Sequence, residues 1–328
     1  MRRALLTLFV ATGLVGAACA KKSEPSEEDQ RGGTASMARE SAGPERPARA
    51  GEGARPAEPP RRDASSQGLP ARAVELWAAR GLKVPESVLH DPARKLLYVS
   101  CINGKPTEKN GQGFIARLSI EGAVLDLEWA RGMDAPKGMG LVGDLLWVTD
   151  IDRLHVIDKR TGRPERRIEA PDTKFLNDIA VGPGGEVFVS DMATGKVHKV
   201  KDDKLELLAD LKPFEGSNGM LMLDGQLYVG SASGIVKVDP ATGKAELHVP
   251  IKDFGMVDGL KAVGPGAFLV SNWAGRTQIV GKGGQVTPIL DTTAQKIQSA
   301  DFEYIAETRL LLIPTFFDNR VVAYRLEK

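Results

Sequence analysis

The sequence contains six short motifs at near-regular spacing, each at the start of a run of apolar residues. They are Glu86-Ser87-Val88, Lys137-Gly138-Met139, Asn177-Asp178-Ile179, Asn218-Gly219-Met220, Asp258-Gly259-Leu260 and Ala300-Asp301-Phe302. If each motif opens one unit of a closed repeat, the six first residues meet in a ring around the repeat axis. Two carboxylates and two amides would converge there, with no Cys or His among them. Such hard oxygen donors suit calcium, magnesium or manganese and argue against zinc.

The same residues also have a simpler structural interpretation. Asn-Gly and Asp-Gly are common turn formers, so Asn218-Gly219 and Asp258-Gly259 could bond only to local backbone. Lys137 leaves two alternatives open, because its ammonium could pair with Glu86 in place of a metal ion or extend towards a channel mouth. One motif alone would favour the turn interpretation, whereas four oxygen donors at one phase of the repeat favour a metal site.

The repeat that positions these residues predicts the fold. Successive motifs lie 51, 40, 41, 40 and 42 residues apart, and the first interval is long because residues 103–113 form an inserted polar loop. Each motif is followed by a second apolar strand, such as Val187-Phe188-Val189-Ser190. A period near 40 residues with four short strands is typical of a propeller blade. We therefore predict an all-β, six-bladed β-propeller over residues 73–328, in which residues 73–77 close the ring as the outermost strand of the last blade.

The polar positions of this repeat resemble a known family of six-bladed propellers. Glu86 in Pro85-Glu86-Ser87-Val88, Asn218-Gly219 and Asp258-Gly259 resemble the metal triad of the senescence marker protein (regucalcin)/gluconolactonase family. Asn177-Asp178 resembles that family's Asn-Asp pair, whose Asn contacts substrate. The same order of Glu, Asn, Asn and Asp is similar to the calcium sites of diisopropylfluorophosphatase and paraoxonase. The resemblance extends over residues 73–328.

The resemblance implies a metal-dependent hydrolase of a lactone or related ester. It implies that Glu86, Asn177, Asn218 and Asp258 bind a divalent ion, with calcium expected first and magnesium or manganese as alternatives. Asp258 would also be the general base, and Asn177, Asp178 and Lys137 would contact substrate. The alternative, from a different class, is a non-catalytic propeller of the cell envelope that binds a ligand or protein and keeps a structural ion.

Two departures from the family pattern bear on the substrate. Lys137 occupies the ring position of the second motif, where a cation would compete with a metal ion. An Arg that helps the family's lactonases to hold substrate precedes their Asn-Asp pair, and this chain has Phe175-Leu176 there instead. The second departure favours a substrate less polar than a sugar lactone.

Charge and cysteine content limit the binding partners and the disulfide bonds that the sequence predicts. The chain has 44 Lys and Arg against 43 Asp and Glu, so no global charge favours nucleic acid or an anionic membrane. We expect a monomer that acts on a small molecule. Cys101 ends an apolar strand and is interpreted as a small buried hydrophobe without a disulfide partner in the propeller.

The first residues of the chain are typical of an export signal. Arg2 and Arg3 precede an apolar run, residues 4–17, that is too short to span a bilayer comfortably. Gly16-Ala17-Ala18-Cys19 resembles a bacterial lipobox, although Gly16 stands where Leu is usual. This motif predicts a lipoprotein signal peptide over residues 1–19, with Cys19 as the lipidated residue. Cleavage after the A-x-A sequence Ala18-Cys19-Ala20 is the alternative.

Residues 20–72 differ in composition from the repeat that follows. They are rich in Lys, Glu, Arg, Pro, Gly, Ala and Ser and almost free of large apolar residues, which predicts a disordered linker. With the preceding signal, this linker predicts an exported protein. It would be a membrane-anchored lipoprotein of the bacterial cell envelope, or a periplasmic or secreted protein if Cys19 is removed.

The lipobox interpretation leads to a direct test at Cys19. In cells fed a labelled fatty acid, the wild-type protein should incorporate label, and Cys19→Ala should abolish incorporation and release the protein from the membrane fraction. Cys101→Ala is the matched control and should keep the label, since Cys101 lies within the predicted propeller. An unlabelled wild-type protein would instead favour cleavage at the A-x-A sequence.

Overall fold

The structure, a computed structural model, describes residues 69–328, which form six four-stranded antiparallel sheets. The first strand of the chain, β1 (Arg72–Arg80), belongs to the last sheet. The first two blades contain β2 (Pro85–Asp91), β3 (Leu96–Cys101), β4 (Gly113–Ser119) and β5 (Val124–Met133), then β6 (Pro136–Val142), β7 (Leu145–Asp150), β8 (Arg153–Asp158) and β9 (Pro164–Glu169). The predicted all-β, six-bladed propeller is confirmed.

The remaining blades repeat the same strand order. Blades 3 and 4 contain β10 (Leu176–Val181), β11 (Val187–Asp191), β12 (Lys196–Lys201) and β13 (Lys204–Asp210), then β14 (Met220–Leu223), β15 (Gln226–Gly230), β16 (Gly234–Val238) and β17 (Ala245–Pro250). Blades 5 and 6 contain β18 (Leu260–Gly264), β19 (Ala267–Asn272), β20 (Arg276–Gly281) and β21 (Val286–Asp291), then β22 (Glu303–Ile305), β23 (Leu310–Pro314) and β24 (Arg320–Glu327). Single 3₁₀ turns occur at Lys212–Phe214, Thr293–Gln295 and Phe316–Asp318.

The burial of each strand follows its place in the blade. Second and third strands such as β3 and β8 are buried along almost their whole length, because both faces of the sheet pack against neighbouring blades. Outermost strands such as β9 are mostly exposed. The core is therefore a set of apolar layers between blades, and Cys101 is a free, buried residue in the layer between blades 6 and 1, as expected.

The first strands of the six blades contact one another in a closed ring around the axis. These strands begin at the six sequence motifs, so the motifs lie together at one end of the channel. We call this side of the propeller the opener face. Because neighbouring strands are antiparallel, the second strands end on the same face.

Ring closure occurs at both edges of blade 6. β1 pairs with β24 from Arg72 opposite Glu327 to Arg80 opposite Arg320, with a bulge between Glu75 and Trp77. This confirms that residues 73–77 form the outermost strand of the last blade. At the inner edge, the Asp301 N–H donates to the Glu86 carbonyl at 3.1 Å, and the Val88 N–H donates to the Asp301 carbonyl at 3.2 Å.

A glycine in the fourth motif allows two first strands to approach closely. A Cβ added at Gly219 would lie 1.7 Å from the carbonyl oxygen of Asp258, so no other residue fits there without backbone movement. Gly219 therefore sets the spacing between Asn218 and Asp258 in the ring.

The described residues contain no helix that is long and apolar enough to cross a membrane. The predicted signal peptide (residues 1–19), including Cys19, lies outside the described residues, as does almost all of the predicted linker (residues 20–72). β1 begins at Arg72, one residue before the predicted start of the propeller.

The pairing of β1 with β24 predicts the effect of removing β1. A chain that begins at residue 82 loses Trp77, which packs against the apolar layer between blades 6 and 1. Loss of one large core aromatic costs about 3–5 kcal/mol of unfolding free energy, so the melting temperature should fall by roughly 10 °C or more. A chain that begins at residue 69 is the control and should melt like the full protein in calorimetry. Equal melting of the two shortened chains would contradict this account of closure.

Candidate functional site

The structure brings all six motif positions together at the opener face. Glu86, Lys137 and Asn177 lie at the starts of β2, β6 and β10, while Asn218, Asp258 and Ala300 lie just before β14, β18 and β22. Each of the six residues is at most 5% exposed. The turn interpretation for Asn218 and Asp258 is incomplete, because the Asn218 Nδ2 donates across the blade boundary to the Asp258 Oδ1 at 3.2 Å.

Three of the four predicted metal ligands carry a buried oxygen without a hydrogen-bond partner. These atoms are Glu86 Oε2, Asn177 Oδ1 and Asn218 Oδ1. Unpaired buried polar atoms are uncommon and costly in folded proteins, and an ion is one of the partners that can satisfy them. Carboxylate and amide oxygens are the donors that calcium prefers, so these residues fit a divalent ion of that class.

The amide side chains are essential to this fit. Within residues 69–328, no group of three or more His, Cys, Asp and Glu side chains is placed to hold a metal ion. A metal ion in the ring would therefore depend on the oxygens of Asn177 and Asn218 as well as on the two carboxylates.

The channel also holds more buried carboxyl groups than ammonium groups. Burial raises the pKa of Glu86 well above its usual value, and the nearby carboxylates of Asp258 and Asp301 raise it further. Burial followed by the charge of Asp301 raises the pKa of Asp258 to about 7. Burial also raises the pKa of Asp301 to about 6, against the opposing effect of the Lys261 ammonium. A divalent cation in the ring would offset this surplus.

Asp301 and Lys261 are channel residues that the sequence analysis did not single out. The Asp301 Oδ2 accepts a hydrogen bond from the Ser87 Oγ at 2.6 Å, and the Lys261 Nζ lies 3.7 Å from the Glu303 Oε1. Burial alone would lower the pKa of Lys261, but the carboxylates of Glu303, Asp301 and Asp178 hold it above its usual range. Asp301 lies one position after the ring residue Ala300, and Lys261 lies three positions after the ring residue Asp258. A search of each repeat phase in turn would have found them.

Lys137 follows neither of the two alternatives considered for it. Its Nζ donates to the Ala135 carbonyl at 2.8 Å and lies 4.3 Å from the centre of the Phe175 ring. The structure records no ion pair between Lys137 and Glu86, and the side chain is buried rather than extended into solvent. Burial lowers the pKa of Lys137 to about 8, although the carboxylates of Glu86 and Asp150 oppose that shift.

Both carboxylate oxygens of Asp178 accept hydrogen bonds from backbone N–H groups. Its Oδ1 accepts from the Ile179 N–H at 2.7 Å and its Oδ2 from the Met220 N–H at 2.5 Å. These bonds fix blade 3 against blade 4. The side chain of Asn177 points its Nδ2 at the Met192 Sδ, 3.7 Å away. The predicted contacts of Asn177, Asp178 and Lys137 with substrate stay predictions.

Aspartates at the ends of second strands hold the segments that lead into the ring. Asp150 accepts hydrogen bonds from the Asp134 and Ala135 N–H groups, at 2.9 and 2.7 Å, just before Lys137. Asp191 accepts in the same way from the Lys174 and Phe175 N–H groups, just before Asn177. The ring positions of blades 2 and 3 are therefore set by carboxylates that are not themselves in the ring.

The buried carboxylates predict a pH dependence of stability in chelator-treated protein. Asp258, with a folded-state pKa of about 7, holds a proton that the unfolded chain has already lost above about pH 4. The free energy of unfolding therefore falls as the pH rises from about 4 towards 7. For a shift of about three pKa units, the loss is up to about 4 kcal/mol. The melting temperature should fall between pH 5 and pH 7.5.

Two comparisons test the origin of that pH dependence. Asp301→Asn removes a charge that raises the pKa of Asp258, so its melting temperature should depend less on pH. Asp239→Asn removes an exposed turn carboxylate whose folded-state pKa lies below its usual value, and it should leave the trend intact. A wild-type protein that becomes more stable from pH 5 to pH 7.5 without metal would contradict the charge surplus.

Comparisons with known proteins find the fold but no sequence family. No family model and no curated protein matches the chain. A catalytically inactive form of virginiamycin B lyase from Staphylococcus aureus, solved with quinupristin, is 13% identical with a TM-score of 0.54, covering 77% of this chain and 98% of the lyase.

Two further solved structures are similar to the same extent. A protein assigned as a gluconolactonase is 18% identical with a TM-score of 0.58, covering 78% of this chain and 92% of its own. A streptogramin B lyase is 12% identical with a TM-score of 0.55, covering 78% and 97%. At these identities the likeness shows the fold, and the chain is a six-bladed β-propeller similar in architecture to a gluconolactonase and to streptogramin B lyases.

Proposed function

We propose that the protein is a metal-dependent hydrolase of a lactone or related ester, with its active site in the ring at the opener face. The observation that supports this most directly is the convergence of three unpaired buried oxygens, on Glu86, Asn177 and Asn218, beside Asp258. The fold neighbours are consistent with the proposal, since one is assigned as a gluconolactonase.

Glu86, Asn177, Asn218 and Asp258 would hold the divalent ion, with calcium as the first candidate and magnesium or manganese as alternatives. When bound, the ion would polarise the substrate carbonyl and stabilise the negative charge that develops on its oxygen. The two asparagines add donors without adding charge. A bound cation would give a partner to each of their buried oxygens, which have none in the structure.

Asp258 is the proposed general base. Its Oδ1 is held by the Asn218 Nδ2, which leaves Oδ2 as the oxygen that can take a proton from an attacking water. In the metal-free protein, burial and the charge of Asp301 raise the pKa of Asp258 to about 7, and a bound cation would lower it and keep the carboxylate ionised as a base. Lys137, whose ammonium donates to the Ala135 carbonyl, would orient a polar substrate group.

The surroundings of Lys137 favour a substrate of limited polarity. Its ammonium lies over the Phe175 ring, and the neighbouring Met192 is a partly exposed, apolar side chain beside Asn177. A polyhydroxylated sugar lactone would find few hydrogen-bond partners on this side of the ring. We therefore favour a lactone or ester with limited polarity.

The alternative function is a binding propeller of the cell envelope that keeps a structural ion. The deep burial of all four proposed ligands favours this alternative. Structural metal sites are enclosed by their ligands, whereas a catalytic ion needs a position that substrate can reach. The two functions predict different effects of replacing Asp258. In a hydrolase the replacement lowers turnover, whereas in a binding propeller with a structural ion it changes only stability.

The base assignment leads to a test with one atom changed. Asp258→Asn keeps an oxygen donor and the side-chain shape but cannot act as a base near neutral pH. Turnover in a screen of lactones and aryl esters should fall by about 10² to 10⁴, the usual contribution of general-base catalysis. Wild-type activity should require added calcium, magnesium or manganese and be lost with a chelator.

Asp91→Asn is the matched control, because Asp91 is a buried carboxylate at the opposite end of β2 from Glu86 and is not a proposed ligand. It should keep most of the turnover and all of the metal-dependent rise in melting temperature. An ion that raises the melting temperature of wild-type protein while no substrate in the screen is hydrolysed would establish the structural-ion alternative. A melting temperature indifferent to both cation and chelator would reject the metal site itself.

A further inference from the structure

Three aromatic rings form a cluster on the opener face. Trp273 lies with its ring centre 5.6 Å from that of Phe316 and 6.0 Å from that of Phe317, and the two Phe rings are 4.8 Å apart. All three pairs meet edge to face, with interplanar angles of 83–87°. Trp273 is 45% exposed and Phe317 is 53% exposed, whereas Phe316 is buried beneath them. We call these three residues the mouth cluster.

The mouth cluster lies beside the ring because of where its residues fall in the blades. Trp273 comes two residues after Ser271, whose carbonyl accepts the Asp258 N–H at 2.8 Å. Phe316 comes two residues after Pro314, whose carbonyl accepts the Ala300 N–H at 3.2 Å. The second strands of blades 5 and 6 therefore deliver the cluster to the same end of the channel as Asp258.

An apolar layer joins the mouth cluster to the ring. Phe316 packs in a cluster with Ala300, the ring residue of blade 6, and with Ala135, whose carbonyl holds the Lys137 ammonium. The other members of this layer are Ile102, Ile151 and Val84. Buried apolar packing is thus continuous from the ring residue Ala300 to Phe316, which lies beneath the exposed rings of Trp273 and Phe317.

Three members of this layer have unusual backbone conformations. Val84, Ile151 and Phe316 have φ values of 50°, 55° and 50°, in the left-handed region that β-branched and bulky residues rarely adopt. Local bonds hold them there, including the Val84 N–H donating to the Asn319 Oδ1 at 2.8 Å. Such conformations persist where the surrounding structure enforces them, and they concentrate at binding and catalytic sites.

The mouth cluster differs from the other exposed apolar residues of the described region. Leu207, Leu247 and Val286 are exposed singly on outermost strands, a common situation that needs no functional explanation. The mouth cluster instead combines three contacting rings, a layer that reaches the ring, and no unpaired charge beside it, since Asp318 is bonded to Arg320. Its position beside the proposed active site favours a substrate group as its occupant.

We propose that the mouth cluster is a subsite for an aromatic or flat apolar group of an uncharged lactone or ester whose carbonyl enters the ring. This inference rests on the proposed hydrolase function and specifies its substrate class. A flat ring that enters beside Trp273 and Phe317 can add edge-to-face contacts to those already present. The packing of Phe316 against Ala300 places this subsite beside the blade 6 position of the ring, where the carbonyl would enter.

The test compares a lactone with its aryl derivative. For γ-butyrolactone and γ-phenyl-γ-butyrolactone, kcat/KM should be higher for the phenyl compound in wild-type protein. Trp273→Ala and Phe317→Ala should each lower the phenyl-to-parent ratio by about 2- to 10-fold, the usual effect of one aromatic contact. Trp273→Phe should restore part of the ratio. Leu207→Ala, an exposed apolar control on an outermost strand, should keep the wild-type ratio.

A binding measurement separates this inference from the hydrolase proposal. 5-Phenylpyrrolidin-2-one and pyrrolidin-2-one are lactam analogues that resist hydrolysis, and calorimetry should show tighter binding of the phenyl compound that both alanine variants weaken. If no lactone is hydrolysed but this preference is present and lost in the variants, the subsite stands and the hydrolase proposal fails. If both lactones are hydrolysed with equal efficiency, the hydrolase stands and the subsite proposal is overturned.

Phe317→Ala also tests whether the mouth cluster binds protein instead. Sedimentation should give the same molecular mass for wild type and variant. A wild-type dimer that dissociates in the variant, with an unchanged phenyl-to-parent ratio, would assign the cluster to a contact between copies of the chain and overturn the subsite.

Discussion

The structure depends on one constraint, the closure of six sheets into a ring by the pairing of β1 with β24. An open array of blades would leave the edges of blades 1 and 6 without partners, and the apolar layer between them would face water. Closure fixes the distance of every first strand from the axis. The backbone bonds between Glu86 and Asp301 and the absence of a side chain at Gly219 then set the spacing of the ring residues.

The buried carboxylates at the ring destabilise the folded state, and the propeller fold does not require them. Glu86, Asp258 and Asp301 are buried near one another; burial raises the pKa of all three, and repulsion from neighbouring carboxylates in the group raises those of Glu86 and Asp258 further. A core of apolar residues would avoid that cost, and buried carboxylates with raised pKa values concentrate at functional sites. Lys261 offsets part of the charge beside Asp301 and Asp178, whereas Lys137 is engaged by Ala135 and Phe175.

The period of the sequence was sufficient to predict the fold and the convergence of the motif positions. Residues at the same position of each repeat lie at the same distance from the propeller axis and at the same height along it. The convergence of Glu86, Asn177, Asn218 and Asp258 could therefore be predicted without a structure. The packing of Lys137 against Phe175 could not be predicted, because it depends on which of several rotamers the neighbouring blade permits. The mouth cluster was not predicted either: Trp273 and Phe316 share a position two residues after the end of the second-strand pairing, but the loops that follow differ in length, and only the structure shows that the rings meet.

The pairing of β1 with β24 also shapes how the chain can fold. Arg72 and Glu327 are 255 positions apart, yet their side chains are bonded to each other. Contacts between such distant segments carry a large loop-closure entropy and are associated with slow folding. During synthesis, strand β1 emerges long before β24 exists and must wait for it with its hydrogen-bonding edge uncovered. The eight-residue strand β24 therefore completes the ring, and until it has been synthesised the growing chain is open to chaperones and to aggregation.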